Sequence, residues 1–417
     1  MSYIRITGHR AMEGSCYIKA AKNSVLPILA CSIMCTEVVR IHNCPDIRDV
    51  RNMLKILRSL GAWTELEDGV ITVDTRGINI TKVAGEAAGA IRSSVFTLGP
   101  ILAKFGRAQI SYPGGCNIGT RPIDLHLDGL RAMAVDIIET ADCIVCDGSN
   151  MRACNYTLRF ASVGATENLI MASALTKGRT VIRNAAKEPE IVDLANFLAA
   201  MGGRISGQGT DTITIDGVEA LGGGDYTPIP DRIVAGTYMV GCAMCGGCIR
   251  LDNADGGHLA ALIDVLERAG AHVVVGDGYI LVASDGKLRA VDNIATDIYP
   301  GFATDMQAQI MAMLSIADGV SVIEENLFET RLRHASELCK MGANISVEDN
   351  RAIVSGVPHL YGAKVAGYDL RGGAAMVLAG LAADGDTVVT DVGHIMRGYE
   401  DISRDLRELG CAVWYIR

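Results

Sequence analysis

A cysteine in a glycine-rich turn, with an arginine five positions on, is the first group in this chain equipped to do chemistry. The segment Tyr112-Pro113-Gly114-Gly115-Cys116-Asn117-Ile118-Gly119-Thr120-Arg121-Pro122-Ile123-Asp124 holds three glycines and two prolines, the composition of an irregular loop. A thiol held there is accessible, and a nearby guanidinium shifts its protonation equilibrium. Most cysteines of reduced proteins are small buried hydrophobes, flanked by apolar residues instead of turn residues and charge.

The other unusual polar residues fall at two recurrent kinds of place. One is the start of an apolar helix: Lys22-Asn23, Arg92, Ser162-Val163-Gly164, Asp231-Arg232, Thr304-Asp305 and Asp369-Leu370-Arg371. The other is the loop after the following strand: Cys116 with Arg121, Glu188-Pro189-Glu190, the run from Asn326 through Leu327 to Arg331, and His394-Ile395-Met396-Arg397. Helix N-termini favour anions through unpaired N–H groups and the helix dipole. Five arginines (Arg92, Arg121, Arg331, Arg371, Arg397) and Lys22 at such places, in an acidic chain, imply a small polyanionic ligand. Any one of them alone could equally be a cap or a solvated surface charge.

These loops are positioned by a repeated unit. A helix-ending phrase recurs at Leu57-Arg58-Ser59-Leu60-Gly61-Ala62, Leu130 to Val135, Leu198 to Gly203, Leu266 to Ala271, Leu338 to Ala343 and Leu406 to Cys411, at spacings of 73, 68, 68, 72 and 68 residues. Glycine after the last apolar residue is helix C-cap chemistry, and the second copy has Ala134 in its place. Ahead of each phrase run an apolar helix (24–34, 93–103, 166–175, 235–244, 305–316 and 373–383) and a β-branched strand (38–42, 108–111, 180–183, 248–251, 321–324 and 387–390). The order is α-β-α-β(β) in about 70 residues, six times, which fits two α/β domains of three pseudo-symmetric repeats each.

Composition bounds the rest. The chain has 417 residues, 49% of them hydrophobic and only 5% aromatic, so the core is expected to be aliphatic. A net charge of −10 argues against nucleic acid and anionic membranes as partners. No run approaches the ~20 apolar residues of a membrane span. Thirteen cysteines without an export signal read as reduced thiols in the cytoplasm. Two Cys-x-x-Cys pairs, Cys143/Cys146 and Cys242/Cys245, read as a strand and a helix, not as the turns that hold zinc.

With these motifs in view, the chain closely resembles the UDP-N-acetylglucosamine 1-carboxyvinyltransferase family of enolpyruvyl transferases. The markers are Ala21-Lys22-Asn23, the Pro-Gly-Gly-Cys loop through His126, Ser162 to Thr166, Glu188 to Asp193, Ser206 to Asp211, Thr304-Asp305-Met306-Gln307 and Arg397-Gly398-Tyr399-Glu400. The resemblance implies two inside-out α/β prisms, one over 22–229 and one over 1–21 with 230–417. It also implies transfer of the enolpyruvyl group of phosphoenolpyruvate to the 3-hydroxyl of UDP-N-acetylglucosamine at the opening of peptidoglycan synthesis, with no metal or other cofactor.

By the same resemblance Cys116 is the general acid and the target of fosfomycin, Asp305 the base, and Lys22 and Arg397 catalytic cations. Lys22, Arg121 and Arg397 face the phosphate, and Arg331 and Arg371 the carboxylate, with Arg92 nearby. Asn23 holds the intermediate and Asp369 orients cations. The nucleotide lies along Arg121, Pro122, Ile123, Asp124 and Leu125 and at Ser162, Val163 and Gly164, with Leu327 also in contact. Phe160, Asn117 and Lys19-Ala20 depart from the family pattern. Two rivals are a silent UDP-sugar-binding paralogue and the transferase acting on shikimate 3-phosphate. The latter lacks the cysteine loop, and its Gly-Asn-Ala-Gly-Thr-Ala-Met-Arg motif is absent here.

Overall fold

The computed structural model describes residues 2–114 and 122–417. It divides into two compact units. The first runs from Ala20 to Ile229, and the second combines the chain through Lys19 with Pro230–Arg417. The crossings at 19/20 and 229/230 are extended backbone held by hydrogen bonds, Ala21 N–H to Ile229 O and Asp231 N–H to Lys19 O.

Each unit is built around helices that are mostly apolar and buried on every side. In the first unit these are α1 (Lys22–Cys31), α2 (Leu98–Phe105) and α3 (Val163–Ala174). In the second they are α4 (Arg232–Cys245), α5 (Thr304–Leu314) and α6 (Leu370–Leu381). A helix without a polar face has to be surrounded by protein, and α6 buries every one of its residues. The expected helix at 93–103 differs in detail. It opens as a 3-10 turn, Arg92–Thr97, before α2 begins. Ser94 and Thr97 cause this by turning their hydroxyls onto local carbonyls, Ala88 O and Ile91 O for Ser94 and Ser94 O for Thr97.

Among the described residues, six four-stranded sheets enclose these helices, three to a unit. All follow one plan: a short edge strand runs parallel to the strand after the inner helix, and two antiparallel strands complete the sheet. Asn155–Thr157 pairs in this way with Arg179–Arg183, which is followed by Thr212–Asp216 and Arg204–Ser206. Burial alternates along the strands, so that Val39 and Ile41 point inward while Arg40 faces water. Two of the second unit's sheets borrow from the start of the chain. Met12–Tyr17 is the parallel edge beside Gly247–Asp252, and Tyr3–Thr7 lies between Asp386–Thr390 and Ala412–Ile416.

The repeat phrase ends its helix alike in all six copies. Leu57, Leu130, Leu198, Leu266, Leu338 and Leu406 are each 1% exposed or less. The residue that stops the helix has positive φ every time: Gly61 at 111°, Ala134 at 61°, Gly202 at 96°, Gly270 at 112°, Gly342 at 93° and Gly410 at 83°. Only glycine adopts this region without a Cβ clash, so Ala134 carries local strain of roughly 1 kcal/mol. Replacing Ala134 by glycine is expected to raise the unfolding free energy by about 0.5–1 kcal/mol, and Gly270→Ala to lower it by about 1 kcal/mol or more. Urea unfolding followed by circular dichroism checks both, and a lower midpoint for Ala134→Gly would contradict the strain.

Candidate functional site

In the second unit the chemistry gathers at the start of α5 and α6. Ala303 is the cap residue of α5, and Asp305 lies in its first turn. Asp305 Oδ1 accepts from Arg331 Nη2 at 2.7 Å and Oδ2 from Arg371 Nη2 at 3.3 Å. Both arginine side chains are buried, at 5% and 4% exposure against 30% for the aspartate. Burial of a guanidinium requires a partner charge. Burial works against the charge on Arg371, but Asp305, Tyr399 and Asp231 more than offset it and hold the pKa above the usual value. Arg331 Nε and Arg371 Nε and Nη1 have no hydrogen-bond partner among the described residues. Buried donors of this kind are costly unless an acceptor reaches them, so the clasp is a ready receptor for a small carboxylate or phosphate.

Three neighbours hold the clasp in shape. Asp369 caps α6, its Oδ1 accepting from the N–H groups of Arg371 at 2.9 Å and Gly372 at 3.1 Å, so it orients Arg371 through the backbone. Buried Glu325 accepts from Thr296 and Thr304 hydroxyls and from the N–H groups of Leu327 and Phe328, tying the 326–330 loop to the start of α5. His334 shares a hydrogen bond with Arg331 O at 3.0 Å. Burial lowers its pKa to about 4 against the opposing pull of the Asp369 charge and the hydrogen bond to Arg331 O, with the Arg331 charge adding to the lowering, so it stays neutral beside the cations above that pH. Arg397 closes a short 3-10 turn, Ile395–Arg397.

In the first unit Lys22 is the first residue of α1 and pairs with buried Asp49 at 3.0 Å. Asn23 follows it in the first turn. A cavity of about 320 Å³ is lined by Arg92, Tyr112, Pro113, Pro122, Ile123, Asp124, Leu127, Arg131 and Glu139. Ser162 caps α3, its Oγ accepting from Ala165 N–H. A Cβ on Gly164 would lie 3.0 Å from His126 Cε1 and 3.2 Å from Phe96 Cε1. Glycine there lets the α3 start, with Val163, close onto the Asp124-Leu125-His126 turn, and His126 Nδ1 bonds Asn168 Nδ2 at 2.8 Å.

The structure thus brings together Asp305, Arg331, Asp369 and Arg371 in one unit, with Leu327 tethered nearby. In the other it brings together the 122–125 and 162–164 segments, and Arg92 shares the cavity wall with the former. Cys116 and Arg121 lie outside the described residues, as does Asn117. Phe160 is exposed, while its neighbour Arg159 bridges Asp124 at 2.6 Å and Asp128 at 2.9 Å. Sequence reasoning missed Asp49, Arg159, Glu325 and His334 as supporting residues. Their partners are remote in sequence or backbone groups, and no spacing rule marks them.

A family model described as EPSP synthase (3-phosphoshikimate 1-carboxyvinyltransferase) matches residues 6–406. The chain is 46% identical, over 99% of both sequences, to UDP-N-acetylglucosamine 1-carboxyvinyltransferase 2 of Caldanaerobacter subterraneus subsp. tengcongensis. It is 44% identical, over the whole of both, to UDP-N-acetylglucosamine 1-carboxyvinyltransferase of Cellvibrio japonicus. Among solved structures, the enolpyruvyl transferase NikO from Streptomyces tendae superposes with a TM-score of 0.90 at 26% identity, covering 99% of this chain and 98% of that one. EPSP synthase from Acinetobacter baumannii shares the fold, with a TM-score of 0.77 at 16% identity over the whole of both chains. Sequence similarity across nearly the full length, on a fold shared with enolpyruvyl transferases, places this chain in the UDP-N-acetylglucosamine 1-carboxyvinyltransferase family.

Proposed function

We propose that this protein transfers the enolpyruvyl group of phosphoenolpyruvate to the 3-hydroxyl of UDP-N-acetylglucosamine, releasing phosphate, as the first committed step of peptidoglycan synthesis in the cytoplasm. The observation that carries the reading is the clasp of Asp305 by two buried arginines that retain unused donors. The names of the relatives favour UDP-N-acetylglucosamine over shikimate 3-phosphate as acceptor.

The roles follow from charge and proton balance. Arg331 and Arg371 hold the carboxylate of phosphoenolpyruvate, and Lys22, Arg121 and Arg397 its phosphate. The Cys116 thiol protonates C3, which makes C2 electrophilic. The sugar 3-oxygen attacks C2 while its proton passes to Asp305. A phosphate-bearing tetrahedral adduct results, which Asn23 steadies. Return of a C3 proton to the Cys116 thiolate then expels phosphate and restores the double bond. Asp305 starts as the partner of two cations, and a carboxylate so held is a weak base. Arrival of the substrate carboxylate would draw those guanidinium groups off Asp305 and raise its basicity when the base is needed. The 122–125 and 162–164 segments with Leu327 hold the nucleotide sugar, and Arg92 adds charge beside them.

Phosphate release from phosphoenolpyruvate is expected with UDP-N-acetylglucosamine and not with shikimate 3-phosphate; activity with the second alone, or with neither, would overturn the reading. Asp305→Asn is expected to lower kcat by about 10²–10⁴-fold in the same assay. A change under threefold would remove Asp305 as base. Intact mass spectrometry after fosfomycin exposure is expected to find one adduct, mapped to Cys116 and missing from Cys116→Ser.

A further inference from the structure

The Arg397-Gly398-Tyr399-Glu400 motif contains a residue to which neither the family reading nor the clasp assigns a task. Tyr399 is 2% exposed, and its ring centroid lies 5.9 Å from the Arg371 guanidinium carbon. Its hydroxyl is 2.7 Å from Thr237 Oγ1 on α4. The hydrogens of this contact can be assigned by counting. Thr237 Oγ1 has one proton, which it gives to Ile233 O at 2.8 Å. It must therefore accept from Tyr399, as it does from Gln309 Nε2 of α5 at 3.1 Å. Thr237 and Gln309 are both fully buried.

The Tyr399 proton is thus committed away from Arg371, which leaves the phenol oxygen and the ring face as negative surface for that cation. The same residue anchors a second cation. Tyr399 N–H bonds Ile395 O at 3.0 Å, closing the turn that carries Arg397. The turn sits against the start of α6, where a Cβ on Gly398 would lie 2.8 Å from Leu370 Cδ2.

We propose that Tyr399, locked by Thr237 and Gln309, is a positioning residue that sets both Arg371 and Arg397 for the anionic groups of phosphoenolpyruvate. The inference rests on the reading above and names a residue that acts through the arginines without touching substrate. Arg371 has donors without partners, so its aim depends on what it leans against. A guanidinium held beforehand binds an anion without first losing conformational freedom.

Steady-state kinetics on Tyr399→Phe test it, since that change removes one hydroxyl and keeps the ring. The KM for phosphoenolpyruvate is expected to rise about 5–30-fold, with kcat within threefold and the KM for UDP-N-acetylglucosamine within twofold. Thr237→Val is expected to reproduce the shift, Thr237→Ser to restore wild-type behaviour, and the Tyr399→Phe/Thr237→Val pair to be no worse than either single change. An unchanged KM for phosphoenolpyruvate, equal losses for both substrates, or additive effects in the pair would each overturn the relay while wild-type turnover leaves the enzymatic reading intact. If the wild-type protein fails to turn over, that reading falls. The relay is then judged by titration calorimetry with phosphoenolpyruvate alone, where less than a twofold weakening in Tyr399→Phe, or absent wild-type binding, rejects it.

Discussion

A helix buried on every side admits no water along its length, and each unit is arranged around three of them. Ten of twelve residues in α3 and all of α6 are buried, so a ligand can reach these helices only at their ends, while polar side chains within them, such as Asn168, Thr237 and Gln309, bond other buried groups inside the core. The N-terminal ends are where the candidate site residues gather. Ser162, Asp231 and Asp369 cap α3, α4 and α6 with side-chain oxygens, and Lys22, Asp305 and Arg371 occupy first turns. The functional geometry follows from that burial: sheets shield the helix flanks, and the exposed N–H groups and their dipoles define where charge can be held.

The second-unit cluster shows how such a place can hold like charges close together. Arg331 and Arg371 would repel each other in isolation, and Asp305 between them makes the arrangement tenable. The cluster is also stiff. Glu325 answers four donors and Asp369 two, so the backbone on either side of the clasp has little freedom. Stiffness of this kind limits the reorganisation needed when an anion enters. A neutral His334 adds no further positive charge to a crowded spot.

Much of this was legible in the amino-acid order. Inner helices and their following strands begin and end within a few residues of the periodicity, because aliphatic runs bounded by glycine are unambiguous. The stop at each helix end was legible too, even where Ala134 stands in for glycine. Less visible were the parallel edge strands such as Asn155–Thr157 and Lys82–Val83, which are too short to show alternation. The supporting polar residues were hidden for a different reason. Lys22 pairs with Asp49 on the second helix of its own repeat and Tyr399 with Thr237 of another repeat, and in neither case does the separation along the chain carry a signal. The cations themselves stood out by type and repeat position, whereas the groups that aim them did not.

The sheet that sets Tyr3 opposite Ile416 and Ile4 opposite Val389 joins segments from opposite ends of the sequence order. During synthesis that sheet cannot close until 412–416 has left the ribosome, so the strand at 3–7 must wait, unpaired, while the whole first unit is made. The same adjacency makes the protein a natural subject for circular permutation. A short linker could join Tyr3 to Ile416, which are paired in the sheet, and new termini could be opened at an exposed hairpin such as Asp68-Gly69, letting the second unit emerge as one continuous stretch.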